Sequence, residues 1–151
     1  MALRCESTVT VAKRPPEVFP WLLDADKVPR WMTGLEVYEP LEAGPLHVGS
    51  RIRQELSVSG QQLRFELEVA ELDAPRTAVL RFEGSGFRAA NEYAVHDAAD
   101  GGSEVTWVIA GDTTSFKAKL VAPMVQAKLQ EKLDGDLARL RTLLAGEAAA
   151  A

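Results

Sequence analysis

Near the start of the chain Glu6, Thr8 and Thr10 alternate with Ser7, Val9 and Val11, which is a period-two pattern that fits a strand with one half-buried face. This strand is expected to end at residues 13–16, because two successive prolines cannot donate to a sheet ladder. Pro16 has the fixed φ angle preferred at the start of a helix, so a helix should follow. Pro20 should keep that helix short or bent, and a second short turn is expected over residues 28–33.

From Leu35 the apolar period is two again and stays so for about 75 residues, interrupted by Gly, Pro, Asp and Ser clusters typical of turns. The pattern predicts an antiparallel meander with one apolar face, while the other face carries Arg and Glu side chains. The apolar face comprises Ile52, Leu56, Val58, Leu63, Phe65, Leu67, Val69, Ala78, Leu80, Phe82, Phe87, Ala89, Tyr93, Val95, Val105, Trp107 and Ile109.

After Gly111 apolar residues recur at three- and four-residue steps, which predicts a long amphipathic helix. Phe116, Leu120 and Met124 fall on a different side of that helix, so a separate turn or a bend is expected before it, near Pro123. Residues 146–151 are expected to fray. The apolar stripe consists of Val125, Leu129, Leu133, Leu137, Leu140 and Leu144.

The order of elements is therefore a strand, two short helices, about six more strands and a long helix whose apolar stripe must be covered. A sheet curled around the helix covers that stripe most economically. Because a strongly twisted sheet is not filled evenly by one helix, a space should remain between them. We predict an α+β fold in which a curved antiparallel sheet of about six or seven strands encloses a ligand cavity with the C-terminal helix.

The chain has 151 residues, 46% of them hydrophobic, which predicts a single domain over residues 1–151 with its core at about 5–145. Cys5 is the only cysteine and His47 lies far from His96, so neither a disulfide framework nor a metal site is expected. The net charge of −5 gives no reason to expect binding to nucleic acid. No segment resembles a signal peptide or a membrane span, so we expect a cytoplasmic protein, and we expect no cofactor.

Several short segments occur in an order that matches a known family. They are Pro15-Pro16-Glu17-Val18-Phe19, Arg30-Trp31-Met32, Val48-Gly49-Ser50-Arg51, Gly102-Ser103-Glu104-Val105-Thr106, and the helix end from Leu133 to Leu144. On these segments the chain resembles the START-like, or SRPBCC, superfamily with the helix-grip fold, and within it the polyketide cyclase/dehydrase-like proteins. The resemblance implies a hydrophobic cavity that binds lipids, polyketides, quinones or other apolar molecules. It implies no single activity, because the superfamily includes enzymes, carriers, sensors and cochaperone-type modules.

Three polar side chains interrupt the apolar face of the strands: Gln54, Asn91 and Tyr93. A few polar groups in an apolar pocket can orient the carbonyl or hydroxyl group of a ligand. The alternative is that Gln54 and Asn91 bond to backbone or ordered water, and that the Tyr93 hydroxyl points to solvent. Tyr93 is also the acid candidate if the protein is a cyclase, since no catalytic grouping can be assembled from the two histidines.

Aromatic residues in these segments are candidates for the cavity wall, and the alternative for each is a place in the core. Phe116 and Met124 are expected at an adaptable entrance. The aromatic candidates are Trp31, Phe65, Phe82, Phe87, Trp107 and Phe116.

The C-terminal helix region also has local positive charge, of the type that attracts an anionic lipid surface or an acidic partner. Intervening acids favour the alternative, a solvated helix face. The lysines are Lys117, Lys119, Lys128 and Lys132, and the acids are Glu131, Asp134 and Asp136.

The leading hypothesis is a protein, monomeric or homodimeric, that binds an apolar, ring-bearing or lipid-like small molecule between its sheet and its C-terminal helix. The first alternative is a polyketide cyclase or aromatase, which would work largely by positioning a flexible chain. The second is a cochaperone-like or membrane-accessory interaction module. That module predicts a filled cavity and a function on the outer face of the sheet or on the lysine-bearing helix.

Overall fold

The computed structural model describes residues 2–58 and 60–150 of the chain. The strands are β1 (Ala2–Val11), β2 (Leu35–Pro40), β3 (Arg51–Val58), β4 (Gln61–Asp73), β5 (Thr77–Gly84), β6 (Phe87–Asp97) and β7 (Ser103–Thr113), and the helices are α1 (Pro15–Leu23), α2 (Val28–Trp31) and α3 (Phe116–Ala150). The strands form one sheet in the order β1-β7-β6-β5-β4-β3-β2, with antiparallel neighbours throughout. The predicted α+β fold, a curved sheet around a long C-terminal helix, is confirmed.

Period-two alternation determines which side chains face α3. In β6 every second residue from Phe87 to Val95 is buried, and the residues between them are exposed or half-buried. The register with β7 places Tyr93 opposite Trp107. Asn91 shares the parity of these buried residues, so a polar side chain lies on the buried face of the sheet.

The apolar stripe of α3 fills one half of the space under the sheet. Leu133, Leu137, Leu140 and Leu144 are fully buried, as the spacing predicts. Earlier in the helix, the stripe positions Val125 and Leu129 are only half-buried. The C-terminal half of α3 is therefore packed into the core, while its N-terminal half leaves room beside the sheet.

The two short helices close one side of the core. Pro20 lies inside α1, which spans nine residues and is short, as expected. The Trp31 indole Nε1 donates to the Trp21 carbonyl oxygen at 2.7 Å and joins α2 to α1. Gly34 has φ +74°, and a Cβ at this position would lie 2.3 Å from the Ser57 carbonyl oxygen, so glycine is required where the chain enters β2.

The separate turn expected before Pro123 is absent, because α3 is one helix with Pro123 inside it. The Ser115 hydroxyl oxygen accepts the Ala118 backbone N–H at 3.1 Å and caps the start of the helix. Ala118 and Ala122 are buried on the side that faces the sheet, and this packing offsets the backbone hydrogen bond that proline removes.

The segment expected to fray is also helical, because α3 continues to Ala150. Residue 151 lies outside the described residues. No helix within residues 2–58 and 60–150 is both long enough and apolar enough to cross a membrane.

Candidate functional site

A cavity of about 540 Å³ lies between the sheet and the N-terminal half of α3. The space exists because this half of the helix presents small side chains, such as Ala118 and Val121, where the C-terminal half presents leucines. The exposed side chains of Gln61, Gln62 and Met124 also line it, so the cavity opens to solvent at the β3–β4 hairpin and the helix.

Four aromatic side chains contribute to the wall formed by the sheet. Phe65, Phe82, Phe87 and Trp107, four of the aromatic residues selected from the sequence, line the cavity. The Phe65 and Phe82 rings meet edge to face, with centroids 4.6 Å apart. Met124 lies at the rim, where an entrance residue was expected. Such a wall offers flat apolar surface to a ligand that contains rings.

Asn91 is the polar group held most firmly on this wall. It is 7% exposed and lines the cavity. Its Oδ1 accepts the Trp107 indole N–H at 2.9 Å, which fixes the orientation of the amide because indole is only a donor. Among the described residues the Asn91 NH₂ group has no hydrogen-bond partner. Every fully buried side-chain nitrogen or oxygen atom of these residues has a partner, so the NH₂ group is not fully buried. The NH₂ group is therefore accessible from the cavity.

Gln54 is a second polar group on the wall, on β3. It is 6% exposed, and its Nε2 donates to the Met32 sulfur at 3.6 Å, which is a weak acceptor. Its carbonyl oxygen has no hydrogen-bond partner within the described ranges. By the reasoning applied to Asn91, this oxygen is also reachable from the cavity. Asn91 and Gln54 thus offer one donor group and one acceptor group beside the apolar side chains of the strands.

A buried ion pair adjoins the cavity at a place that sequence reasoning missed. Lys132 lines the cavity, and its ammonium group donates to Asp136 Oδ2 at 2.6 Å, with side-chain exposures of 8% and 1%. The Thr33 backbone N–H and hydroxyl donate to Asp136 Oδ1 at 3.1 and 2.7 Å, and Lys132 also donates to the Thr33 carbonyl oxygen. The network ties the chain after α2 to α3 and brings a cation to the cavity wall.

The expectation that Lys132 and Asp136 belong to a solvated helix face was wrong. Asp136 follows Leu133 by three residues and precedes Leu140 by four, so its side chain points toward the core. That spacing was visible in the sequence, and it was the signal that could have identified the pair. Other lining residues not selected from the sequence include Leu3, Met32, Leu56, Val58, Val121, Val125 and Leu129.

Three of the selected residues lie outside the cavity lining. Trp31 is fully buried and meets Trp107 edge-on, with ring centroids 5.5 Å apart. Tyr93 packs against the same indole at 5.7 Å. Phe116 is 76% exposed, because the start of α3 turns this side chain to solvent. Trp31 and Tyr93 thus pack against Trp107 without lining the cavity. Phe116 does not line the entrance.

The environment of Tyr93 also disfavours the acid role considered for it. Burial raises the pKa of the phenol well above its ordinary value of 10, and the neighbouring Tyr38 and Asp136 raise it further. Burial, with a contribution from Asp24, raises the pKa of Tyr38 as well. Tyr93 is therefore a weak proton donor that does not line the cavity.

Comparison with protein-family models confirms the resemblance to the polyketide cyclase/dehydrase-like proteins. The model of the family described as polyketide cyclase / dehydrase and lipid transport matches residues 2–145. The chain belongs to this family. No curated protein matches it in sequence.

Solved structures share the fold at low sequence identity. The Zhui aromatase/cyclase from Streptomyces sp. R1128 superposes with a TM-score of 0.80 at 18% identity, over 95% of this chain and 94% of that chain. A START superfamily protein from Mycobacterium smegmatis gives 0.79 at 15% identity, over 95% and 98%. A major latex-like protein from Panax ginseng gives 0.75 at 13% identity, over 95% and 98%. These similarities show the fold.

Proposed function

We propose that this protein binds an apolar small molecule that carries a carbonyl or hydroxyl oxygen, in the cavity between its sheet and α3. The observation that carries the proposal is the Asn91 NH₂ group, which Trp107 orients and which no described residue engages. The cavity volume of about 540 Å³ is within the range of small-molecule sites.

The two polar groups define what the ligand should present. The Asn91 NH₂ group donates and so suits a carbonyl oxygen, whereas the Gln54 carbonyl oxygen accepts and so suits a hydroxyl group. Between them the aromatic wall favours rings or acyl chains. Lipids, polyketides and quinones combine these features. The family description, which names both cyclase/dehydrase and lipid transport, supports the same ligand class.

The interaction-module alternative is less well supported. It called for a filled cavity, whereas the described residues enclose about 540 Å³. On the outer face of the sheet, Arg51 pairs with Glu66, and both Arg53 and Arg64 pair with Glu55. These ion pairs, one within β3 and two between β3 and β4, occupy the arginines that such a module would use for recognition.

The cyclase alternative uses the same cavity and the same ligand class. It differs in that the cavity must also hold a flexible chain in a reactive shape, and Tyr93, the acid candidate for such a reaction, lies outside the lining. Ligand binding without turnover is therefore the function that the geometry supports best.

A cavity-filling variant tests the proposal. Val121→Trp places an indole inside the cavity, whereas Ala138→Trp adds the same group at an exposed position of α3 outside it. Titration calorimetry with a long-chain fatty acid, a naphthoquinone and an aromatic polyketide should give binding of at least one ligand to the wild type and to Ala138→Trp. Val121→Trp should lose it. Equal binding by both variants, or no binding to the wild type, would overturn the proposal.

A further inference from the structure

The first part of α3 carries an exposed apolar face that the core does not use and of which only Met124 also lines the cavity. Phe116, Leu120 and Met124 are 76%, 66% and 59% exposed, and Pro123 and Ala127 are exposed beside them. These five positions follow the three- and four-residue spacing of one helical face. We refer to them as the apolar face of α3.

The neighbouring sides of the same helix already have partners. Ala118 and Ala122 are buried on one side, and Val121 and Val125 line the cavity on another. Only Met124 belongs both to the cavity lining and to the apolar face. Burial of the apolar face would therefore require no rearrangement of the core.

The charged residues within this part of α3 are all lysines. Residues 113–130 contain Lys117, Lys119 and Lys128 and no Asp or Glu, although the chain as a whole carries a net charge of −5. Within the described residues Lys117 and Lys119 have no ion-pair partner, and Lys128 lies 3.8 Å from Glu131 in an exposed pair. On a helical projection Lys117 and Lys128 lie along one border of the apolar face, and Lys119 lies along the other.

We propose that the apolar face of α3 docks on an anionic phospholipid bilayer, with the helix lying in the plane of the membrane surface. Exposed Phe, Leu and Met side chains would enter the boundary between head groups and acyl chains, as in interfacial amphipathic helices. The flanking lysines extend along the apolar surface and reach lipid phosphates with their ammonium groups.

A second copy of this chain fits the face less well. A symmetric pairing uses the same surface twice, so Lys117 and Lys119 of both copies would enter one interface. The first acidic residue along α3 is Glu131, which already pairs with Lys128. An anionic lipid surface supplies the opposite charge that this patch lacks.

The start of α3 is held rigidly, which suits a docking element. Gly86, in the turn between β5 and β6, packs so closely that an added Cβ would lie 2.7 Å from the Ala118 Cβ. The Ser115 cap fixes the first turn. Because Lys117, Met124 and Lys128 also line the cavity, docking would bring the cavity opening against the lipid surface.

Co-sedimentation with vesicles tests the apolar part of the proposal. Wild type should bind phosphatidylcholine vesicles that contain phosphatidylglycerol, should bind pure phosphatidylcholine far less, and should be released by salt. The double variant Phe116→Ser/Leu120→Ser should weaken binding by at least about tenfold. Its control is Leu41→Ser/Val48→Ser, which removes two exposed apolar residues outside α3 and should bind as wild type does.

The charged part has its own variants. Lys117→Gln/Lys119→Gln should weaken binding by about fivefold for each lysine removed. Arg81→Gln/Arg141→Gln removes two exposed charges elsewhere and should leave binding unchanged. Circular dichroism establishes that each variant is folded. The proposal is overturned if both α3 variants bind as wild type does, or if light scattering shows a wild-type dimer that Phe116→Ser/Leu120→Ser dissociates.

Discussion

The indole Nε1 of Trp107 donates to Oδ1 of Asn91 at 2.9 Å, across the adjacent strands β7 and β6. The Trp107 indole also contacts the rings of Trp31 and Tyr93, with ring centroids 5.5 and 5.7 Å away. One hydrogen bond thus links a rigid aromatic cluster to the polar group that faces the cavity. The orientation of the amide is therefore fixed in the protein alone, which lowers the ordering cost of the ligand binding that we propose.

Replacing Asn91 by Leu should lower stability and ligand affinity together. The Trp107 N–H would lose its acceptor in a buried site, which costs about 1–3 kcal/mol of unfolding free energy. Chemical denaturation measures this loss. In the double variant Asn91→Leu/Trp107→Phe the orphaned donor is also absent. Its loss of unfolding free energy should therefore be smaller than the sum of the losses of the two single variants. Strict additivity would show that the hydrogen bond contributes nothing to stability.

Breaking the buried ion pair should be more costly. Asp136→Ala leaves the Lys132 ammonium group without its carboxylate at a nearly buried position, and we expect a loss of about 3–5 kcal/mol. Glu131→Gln, which removes the exposed partner of Lys128, should change stability by less than about 1 kcal/mol. Urea denaturation of the two variants compares the pairs. Similar effects would mean that the Lys132–Asp136 pair is solvated.

The two tyrosines of the chain predict a specific alkaline behaviour. Burial raises the pKa of both Tyr38 and Tyr93 above the ordinary value of 10. The folded state therefore holds these protons more tightly than the unfolded state, and stability should fall as the pH rises above 10. Absorbance of tyrosinate should appear together with the loss of helical circular dichroism. Tyrosinate formation near pH 10 in a protein that remains folded would contradict these environments.

Alanine variants of two glycines with nearly equal φ angles distinguish the effect of steric crowding on stability from the effect of backbone strain. Gly86 has φ +87° and would place a Cβ 2.7 Å from the Ala118 Cβ, whereas Gly101 has φ +86° and open space around it. Both Ala variants incur the cost of a left-handed alanine, about 1–2 kcal/mol, but only Gly86→Ala also displaces the start of α3. Thermal denaturation should show a larger loss for Gly86→Ala. Equal losses would exclude a tight contact between this turn and the helix.

Much of the fold could be predicted because each periodicity identifies a buried face. Alternation placed Phe82, Phe87 and Trp107 on the inner face of the sheet, and the leucine spacing identified the packed half of α3. Which residues of that inner face line the cavity could not be predicted from the alternation. Asn91 and Tyr93 share one face of β6, yet of the two only Asn91 lines the cavity. The extent of the cavity depends on which side chains of α3 lie opposite each strand residue.

The helix shows the same division between pattern and tertiary context. The sequence shows that Phe116 and Leu120 lie on a different side from the apolar stripe. This pattern predicted a separate turn or a bend near Pro123, whereas the structure has one helix with an exposed face. Packing of Ala118 and Ala122 made the continuous helix possible, and this depends on how closely the sheet approaches. For Asp136 the charge predicted a solvated position, whereas its spacing from Leu133 and Leu140 places it among the buried leucines.

The central claim is that the cavity holds an apolar small molecule. Native mass spectrometry of the freshly purified protein, before and after organic extraction, tests it most directly. The account predicts an added mass on the wild type and on Ala138→Trp, absent from Val121→Trp and removed by extraction, with an apolar oxygen-containing compound in the extract. An apo mass for the wild type, together with no thermal stabilisation by fatty acids, quinones or aromatic polyketides, would contradict it.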